Sequence, residues 1–399
     1  MATGSSFSAA PSALGYLFQI RYALVLLLES KEPESMISIE KFDDVAFEEQ
    51  GEPTQLLQFK HHVSHRGLLT DSSADLWKTI RVWATGVSDG TIDLSSVILS
   101  LVTTGTAPTG SAAASLRVGG ERSESRALEK LLAAGSASKN PIVATAYAAL
   151  TNLQNATQLA LLRRVHVLDE APDITRASEE LALVLRYSTR PQFLSALCSR
   201  LEGWWFRRAI EHLKNPDAIP AISSREVQLE ITDLAEQFRL DNLPIDFPIE
   251  VDKTEGDLPE DERLFVEQLR LVMVSNARIK KAISDYWRAF NQRAKWVRED
   301  LLLDQDLEEY EDRLVREWEE LFLIMKENLV ADSDAVLEGR NLYNNLIAGK
   351  HIPIRPAFPN PYVMRGSFHM LANALKVGWH PDFQKRFSNV LDKALRAVS

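Results

Sequence analysis

Polar side chains interrupt an otherwise apolar, β-rich stretch of the chain, Met36 to His62. Its second half carries Gln58 and Lys60 on either side of Phe59. Because successive side chains of a strand point to opposite faces, we expect Gln58 and Lys60 to share one face and Phe59 to occupy the other. The first half carries three acidic residues: Glu40, Asp43 and Asp44. Carboxylates beside a carboxamide and an ammonium group predict a site for metal-dependent phosphodiester hydrolysis.

Each of these groups has a role in such a site. A divalent metal polarises a phosphate and lowers the pKa of a water nucleophile, and Mg²⁺ prefers oxygen ligands. Asp44 is the candidate carboxylate ligand, Gln58 is an amide-oxygen ligand or positioning residue, and Lys60 would stabilise developing charge. The alternative is an exposed hairpin whose polar side chains face water, since an acid followed by Gln-x-Lys is a permissive pattern.

The elements around this stretch must position its side chains. The stretch itself predicts two strands joined by a turn at residues 50–53. Asp43 should then point to the face opposite Asp44, unless a bulge intervenes. A wide apolar surface predicts a helix over residues 13–29, and Leu76, Ile80 and Trp83 follow at helical spacing after the stretch. Lys78 and Arg81 occupy other faces of that second helix.

The rest of the chain predicts an α/β region followed by a helical one. Residues 96–105 form a nearly continuous apolar run, which is typical of a strand buried on both faces, and residues 165–168 predict another strand. Helices are expected over about 124–135 and 140–164. We therefore predict an α/β domain with a mixed sheet over residues 1–215 and a mainly α-helical domain over residues 216–399.

Composition limits the class of protein. The charged fraction is 25% and the net charge is −11, which argues against non-specific DNA affinity over the whole surface. Residues 1–215 hold 21 Lys and Arg against 23 Asp and Glu, whereas residues 216–399 hold 24 against 33. One cysteine, Cys198, suits a reducing compartment, and the helical pattern around it predicts a core residue rather than a reactive thiol. No apolar run reaches the roughly 20 residues that span a bilayer. We expect a cytoplasmic protein without a membrane segment.

Four groups of residues together resemble one nuclease family in their order and spacing. They are Gly15-Tyr16-x-x-Gln19, Ile39-Glu40-x-x-Asp43-Asp44-Val45, Gln58-Phe59-Lys60-His61 and Leu69-Thr70-x-x-Ser73-x-Asp75-Leu76-Trp77-Lys78. The chain is similar over about residues 10–200 to the double-stranded-DNA endonuclease domains of bacterial anti-phage effectors, which have the PD-(D/E)xK, Mrr-like fold. Such domains occur in some CBASS effectors and in the nuclease subunit of Lamassu, or ABC-three-component, systems.

The resemblance implies a restriction-endonuclease-like mixed sheet with flanking helices and an Mg²⁺- or Mn²⁺-dependent endodeoxyribonuclease. Asp44 matches the metal-binding acid, Gln58 the ligand position where Glu is usual, and Lys60 the catalytic lysine. Because Gln58 is neutral, metal binding should be weaker, and DNA phosphate is then needed to complete the coordination. Further candidates are positions that could complete the site or contact DNA: Glu40, Gln19, Asp43 and His61 in the site, and Lys60, His62, Lys78 and Arg81 at DNA.

The histidines allow another interpretation. His61, His62 and His65 could suggest zinc, but no cysteine or second histidine cluster completes such a site, so substrate contact or a solvated edge is favoured. A basic sector within residues 278–298 could follow a phosphate backbone or pair with the acidic residues that come after it.

The helical second half favours the Lamassu-like arrangement over a CBASS effector. That arrangement implies docking onto an SMC-like ATPase subunit and a small third subunit, with activation by release and homo-oligomerisation. Two alternatives stay open. One is a non-catalytic subunit that binds DNA or partners through a nuclease-like fold, and the other is a nuclease triggered by a cyclic nucleotide.

Overall fold

The computed structural model describes residues 10–60, 67–119, 122–248, 261–329 and 335–387. The chain divides into two compact units, Met1–Leu234 and Ala235–Ser399. The first is mixed α/β and the second is helical. This confirms the expected order of an α/β region followed by a helical region.

A six-stranded mixed sheet organises the first unit. Its strands are β1 (Met36–Ile39), β2 (Val45–Glu49), β3 (Glu52–Lys60), β4 (Ile98–Thr103), β5 (Val165–Leu168) and β6 (Ile222–Ser223). The spatial order is β5-β4-β3-β2-β1-β6. Strand β2 pairs antiparallel with both β1 and β3, and β6 pairs antiparallel with β1. Strand β4 pairs parallel with both β3 and β5. As expected for its apolar run, β4 is buried along almost its whole length.

The predicted hairpin is wrong in one respect, because it contains three strands rather than two. Residues 40–44 leave the sheet between β1 and β2, so Ile39 pairs with Val45. The second turn is also shorter than predicted. Only Gln50 and Gly51 lie outside the strands, and both have positive φ, as a two-residue type I′ turn requires.

Helices cover both faces of this sheet. The helices in the first part of the chain are α1 (Ala10–Glu29), α2 (Ala74–Asp89), α3 (Glu124–Ala137), α4 (Pro141–Thr151), α5 (Asn155–Arg164), α6 (Ile174–Val184), α7 (Leu194–Lys214) and α8 (Ser224–Gln237). The single helix predicted over residues 140–164 is two helices. Phe59 packs against Phe18 and Tyr22 of α1, with 5.9 Å between ring centroids in each pair. The neighbouring Gln58 contacts Thr79 of α2, so α1 and α2 lie on opposite faces.

Among the described residues, five helices lie entirely within the second unit: α9 (Leu264–Leu271), α10 (Asn276–Arg298), α11 (Asp304–Glu327), α12 (Ala335–Gly349) and α13 (Tyr362–Asn373). Trp296 and Trp379 are fully buried in its core. Helices α10 and α13 approach closely at Gly366, where a Cβ atom would lie 2.2 Å from the carbonyl oxygen of Asp285. Glycine at this position therefore permits backbone contact between the two helices.

Two further expectations can be compared with this fold. Cys198 is buried, as expected for a core residue, and burial raises the pKa of its thiol to about 11. In the parts of the chain that the structure describes, none of the helices has the length and apolar character needed to cross a bilayer.

Candidate active site

The acidic residues of the predicted first strand lie in the turn between β1 and β2. The N–H of Glu40 donates to the carbonyl oxygen of Asp44 over 3.1 Å and closes this turn. Glu40 itself has a φ of 56°, in the left-handed region. Because these residues are outside the strands, the alternation of strand side chains does not govern Asp43 and Asp44.

Asp43 points towards β3, and the expectation that it faces away from the site is wrong. Its Oδ1 accepts a hydrogen bond from Nε2 of Gln58 at 2.7 Å and another from the N–H of Asp44 at 3.0 Å. Its Oδ2 accepts from Nε1 of Trp83 in α2 at 3.1 Å. The turn thus delivers the carboxylate of Asp43 to the face of the sheet that α2 covers.

Asp44 joins the same strand through the backbone. Its Oδ2 accepts a hydrogen bond from the N–H of Phe59 at 2.7 Å. A charged acceptor makes this a strong type of hydrogen bond. The two aspartates of the turn are therefore attached to β3, Asp43 through the side chain of Gln58 and Asp44 through the main chain of Phe59.

Gln58 lies at the centre of the cluster and is only 8% exposed. Its Oε1 accepts from Oγ1 of Thr79 at 3.1 Å and from Nζ of Lys60 at 3.4 Å. Lys60 is half-buried. The prediction that Gln58 and Lys60 share one face, with Phe59 on the other, is confirmed.

The cluster lies at the carboxyl end of β3, beside the same end of the parallel strand β4. The carbonyl oxygen of Lys60 accepts from Oγ1 of Thr103 at 3.1 Å and from the N–H of Thr104 at 3.3 Å. Gly105 follows, and a Cβ atom there would lie 2.4 Å from the carbonyl oxygen of Gly67. The carboxyl edge of the strands is where ligands bind in open α/β sheets.

Crowding of carboxylates shapes the electrostatics of the turn. Burial and, to a smaller extent, the charge of Asp44 raise the pKa of Asp43 to about 6, against the opposing effect of hydrogen bonds from Gln58 and Trp83. Partial burial and the charges of Asp44 and Asp43 also raise the pKa of Glu40. Three carboxyl groups at one turn favour a bound proton or a cation at this position.

Other predicted site residues do not join the cluster. Gln19 makes no hydrogen bond to it, and its Oε1 is buried without a hydrogen-bond partner among the described residues. Lys78 and Arg81 are exposed on α2 and form no ion pair within the described part of the chain. They sit on a different side of the helix from Thr79, whose side chain faces the sheet. The predictions for His61 and His62 fall outside the described residues.

Two residues of the cluster were missed by sequence reasoning. Thr79 and Trp83 lie one helical turn apart on α2, and both donate hydrogen bonds into the cluster. Trp83 was interpreted only as part of the apolar face of its helix. The sequence contains one indication of their role. The hydroxyl of Thr79 and the indole N–H of Trp83 are four residues apart, so they lie on the same side of α2.

The donor set suits a hard divalent cation only if other ligands contribute. Asp44 and Gln58, the predicted metal ligands, both carry oxygen atoms. Within the described residues, no group of three or more His, Cys, Asp or Glu side chains is placed to hold a metal ion. Mg²⁺ commonly uses one or two protein carboxylates together with waters and substrate phosphates, so the residues fit a site that the substrate completes.

The basic sector of the second unit is used mainly for internal pairing. Arg293 binds Glu311 at 2.5 Å, and Lys295 binds Asp246 at 2.6 Å. Of these two acidic partners, only Glu311 comes from the segment that follows the basic sector. Arg278 and Lys281 differ, because neither pairs with an acid among the described residues.

Comparison with known proteins bears on the second unit. No curated protein matches the chain. Residues 265–387 match the family model described as C-terminal domain 7 of the ABC-three component (ABC-3C) systems. The match begins within α9, extends beyond α13 and covers less than half of the chain. This part of the second unit is therefore similar to a C-terminal domain of the ABC-three-component systems.

Proposed function

We propose that the first unit is a metal-dependent endonuclease that cleaves double-stranded DNA. The observation that carries this proposal is the convergence of Asp43, Asp44, Gln58 and Lys60 at the carboxyl end of β3. Acid, amide and ammonium groups there have the chemistry that phosphodiester hydrolysis needs. The position at the edge of a mixed sheet with flanking helices also agrees with the resemblance to PD-(D/E)xK nucleases.

The protein groups divide the work as follows. Asp44 and Gln58 would hold Mg²⁺ or Mn²⁺, and the bound ion supplies a Lewis acid and lowers the pKa of water. Lys60 stabilises negative charge on the phosphate in the transition state. Asp43 orients Gln58 through the 2.7 Å hydrogen bond. Glu40 adds negative charge at the start of the turn between β1 and β2.

Substrate binding must then change one contact. Nζ of Lys60 now donates to Oε1 of Gln58, the atom assigned to the metal. A DNA phosphate would attract this ammonium group, which frees one lone pair of the amide oxygen. Thr79 keeps the other hydrogen bond and so holds the amide in place.

At the level of the system, we propose an effector role against phage or plasmids. The match to an ABC-3C C-terminal domain supports a setting with partner subunits. The resemblance identifies them as an SMC-like ATPase and a small third subunit, which hold the nuclease inactive until release allows it to oligomerise. Co-expression with genes encoded beside it should yield a complex in which an ATPase co-elutes; elution of this chain alone at all salt concentrations contradicts the partner assignment.

A second candidate is a non-catalytic subunit that binds DNA or partners. One observation favours it: both carboxylate oxygens of Asp43 and both polar atoms of Gln58 already have partners within the protein. Such a closed network could serve only to hold the turn against α2. This candidate predicts DNA binding without cleavage.

Supercoiled plasmid distinguishes the two candidates. The purified chain, at raised concentration to promote self-association, is incubated with plasmid in MgCl₂, in MnCl₂ or in EDTA. Nicked and linear products with either metal and none in EDTA support the nuclease. Plasmid that is retarded on a gel but intact in every condition supports the binding subunit.

A further inference from the structure

The second unit contains an open cleft between helices α10, α12 and α13, within the residues that match the ABC-3C domain. Its volume is about 580 Å³. Sites for small molecules commonly measure about 300–1,000 Å³, so the cleft can hold a ligand of nucleotide size. We call it the α10–α12–α13 cleft.

Two cations on one side of α10 give this cleft a positive charge. Arg278 and Lys281 are three residues apart and both line it. Nη1 of Arg278 donates to the uncharged Asn344 at 2.6 Å, while its guanidinium lies over the ring of Tyr343. Lys281 is exposed. Among the residues that the structure describes, neither cation is matched by a carboxylate.

The remaining charges of the cleft are already compensated. Arg365 binds Asp285 at 2.5 Å, and Lys350 binds Glu317 at 3.3 Å. The surplus therefore comes from Arg278 and Lys281. It stands out in a half of the chain that holds 24 Lys and Arg against 33 Asp and Glu over residues 216–399.

We propose that the α10–α12–α13 cleft binds a phosphorylated small molecule of nucleotide size. Arg278 and Lys281 contact its phosphate group. Arginine and lysine together provide both a directional and a flexible cation for phosphate. This binding is a property of the second unit and is independent of DNA cleavage by the first.

Calorimetric titration of the full chain tests the proposal. The probes are ATP, AMP and inorganic phosphate, at low salt and without divalent metal. We expect saturable binding of at least ATP, and Lys281→Glu should weaken it at least tenfold, which corresponds to about 1.4 kcal/mol. Lys326→Glu is the matched control, because Lys326 is exposed on α11 and outside the cleft; it should change the Kd less than twofold.

Three outcomes overturn the proposal as a whole. One is the absence of saturable binding of any phosphate probe, and another is equal weakening by Lys281→Glu and Lys326→Glu. The third is binding of polyglutamate with no binding of the phosphates, which would assign the cleft to an acidic protein segment.

Discussion

Asp43 is the most informative residue of the candidate site, because it contacts several of the other groups. It sits in a tight turn, accepts hydrogen bonds from Gln58 and Trp83, and lies beside the carboxylate of Asp44. A carboxyl group with a pKa of about 6 changes charge near neutral pH.

Asp43 should make the stability of the fold depend on pH. Its folded-state pKa of about 6 is above the value of about 4 expected for an unfolded chain. The stability it contributes is therefore fully present below about pH 4 and is lost as pH rises through 6. Relative to Asp43→Asn, the native chain should lose about 2 kcal/mol of unfolding free energy between pH 4 and pH 8. Urea unfolding at both pH values measures this, and identical losses in the two proteins contradict it.

Thr79 should act as a positioning residue for Gln58. Thr79→Val keeps the shape of the side chain but removes the hydroxyl that donates to Oε1 of Gln58, so unfolding free energy should fall by about 1 kcal/mol. DNA cleavage should fall at the same time, whereas Thr79→Ser, which restores the hydroxyl, should recover both. A loss of stability without any change in cleavage rate would make Thr79 purely structural.

At the scale of elements, periodicity predicted the central parts of the fold. The alternation around Phe59 and the apolar run of β4 placed these strands correctly, because each is dictated by burial on the sheet. The break between β1 and β2 was missed because Glu40 to Asp44 carries no glycine or proline, and tertiary hydrogen bonds hold the turn. The two-residue strand β6 was missed because it is too short to show a pattern.

The candidate site was also predictable only in part, because tertiary contacts position some of its residues. Strand alternation placed Gln58 and Lys60 on a common face. The position of the Asp43 side chain depends on the turn between β1 and β2. The positions of Thr79 and Trp83 depend on how α2 packs on the sheet. Contacts between distant segments leave little trace in a single sequence.

Glycines test the packing of the helices directly. Gly366→Ala should lower the melting temperature, because a Cβ atom would collide with the backbone of α10 at 2.2 Å, and overpacking of this kind typically costs about 1–3 kcal/mol. Gly203→Ala is the matched control on the exposed side of α7. No neighbouring atom lies closer than 4.0 Å to its added Cβ, and helix propensity should raise stability by about 0.5–1 kcal/mol. Melting curves that shift in the same direction for both variants would contradict this packing.

At the scale of the whole molecule, the net negative charge affects how the protein can approach DNA. A net charge of −11 repels DNA at long range, so any cleavage depends on local cations such as Lys60, Lys78 and Arg81. Salt should screen both the long-range repulsion of DNA and its attraction to these local cations. Partner subunits could supply further DNA contacts. The residues that match the ABC-3C domain and the α10–α12–α13 cleft both belong to the second unit.

The central claim is that the cluster around Gln58 cleaves DNA, and cleavage by Lys60→Ala tests it most directly. Lys139→Ala is the matched control, since Lys139 is exposed and far from the cluster in the sequence. With equal folding by circular dichroism, plasmid cleavage in MgCl₂ or MnCl₂ should be undetectable for Lys60→Ala and native-like for Lys139→Ala. Native-like cleavage by Lys60→Ala would contradict the assignment of the site.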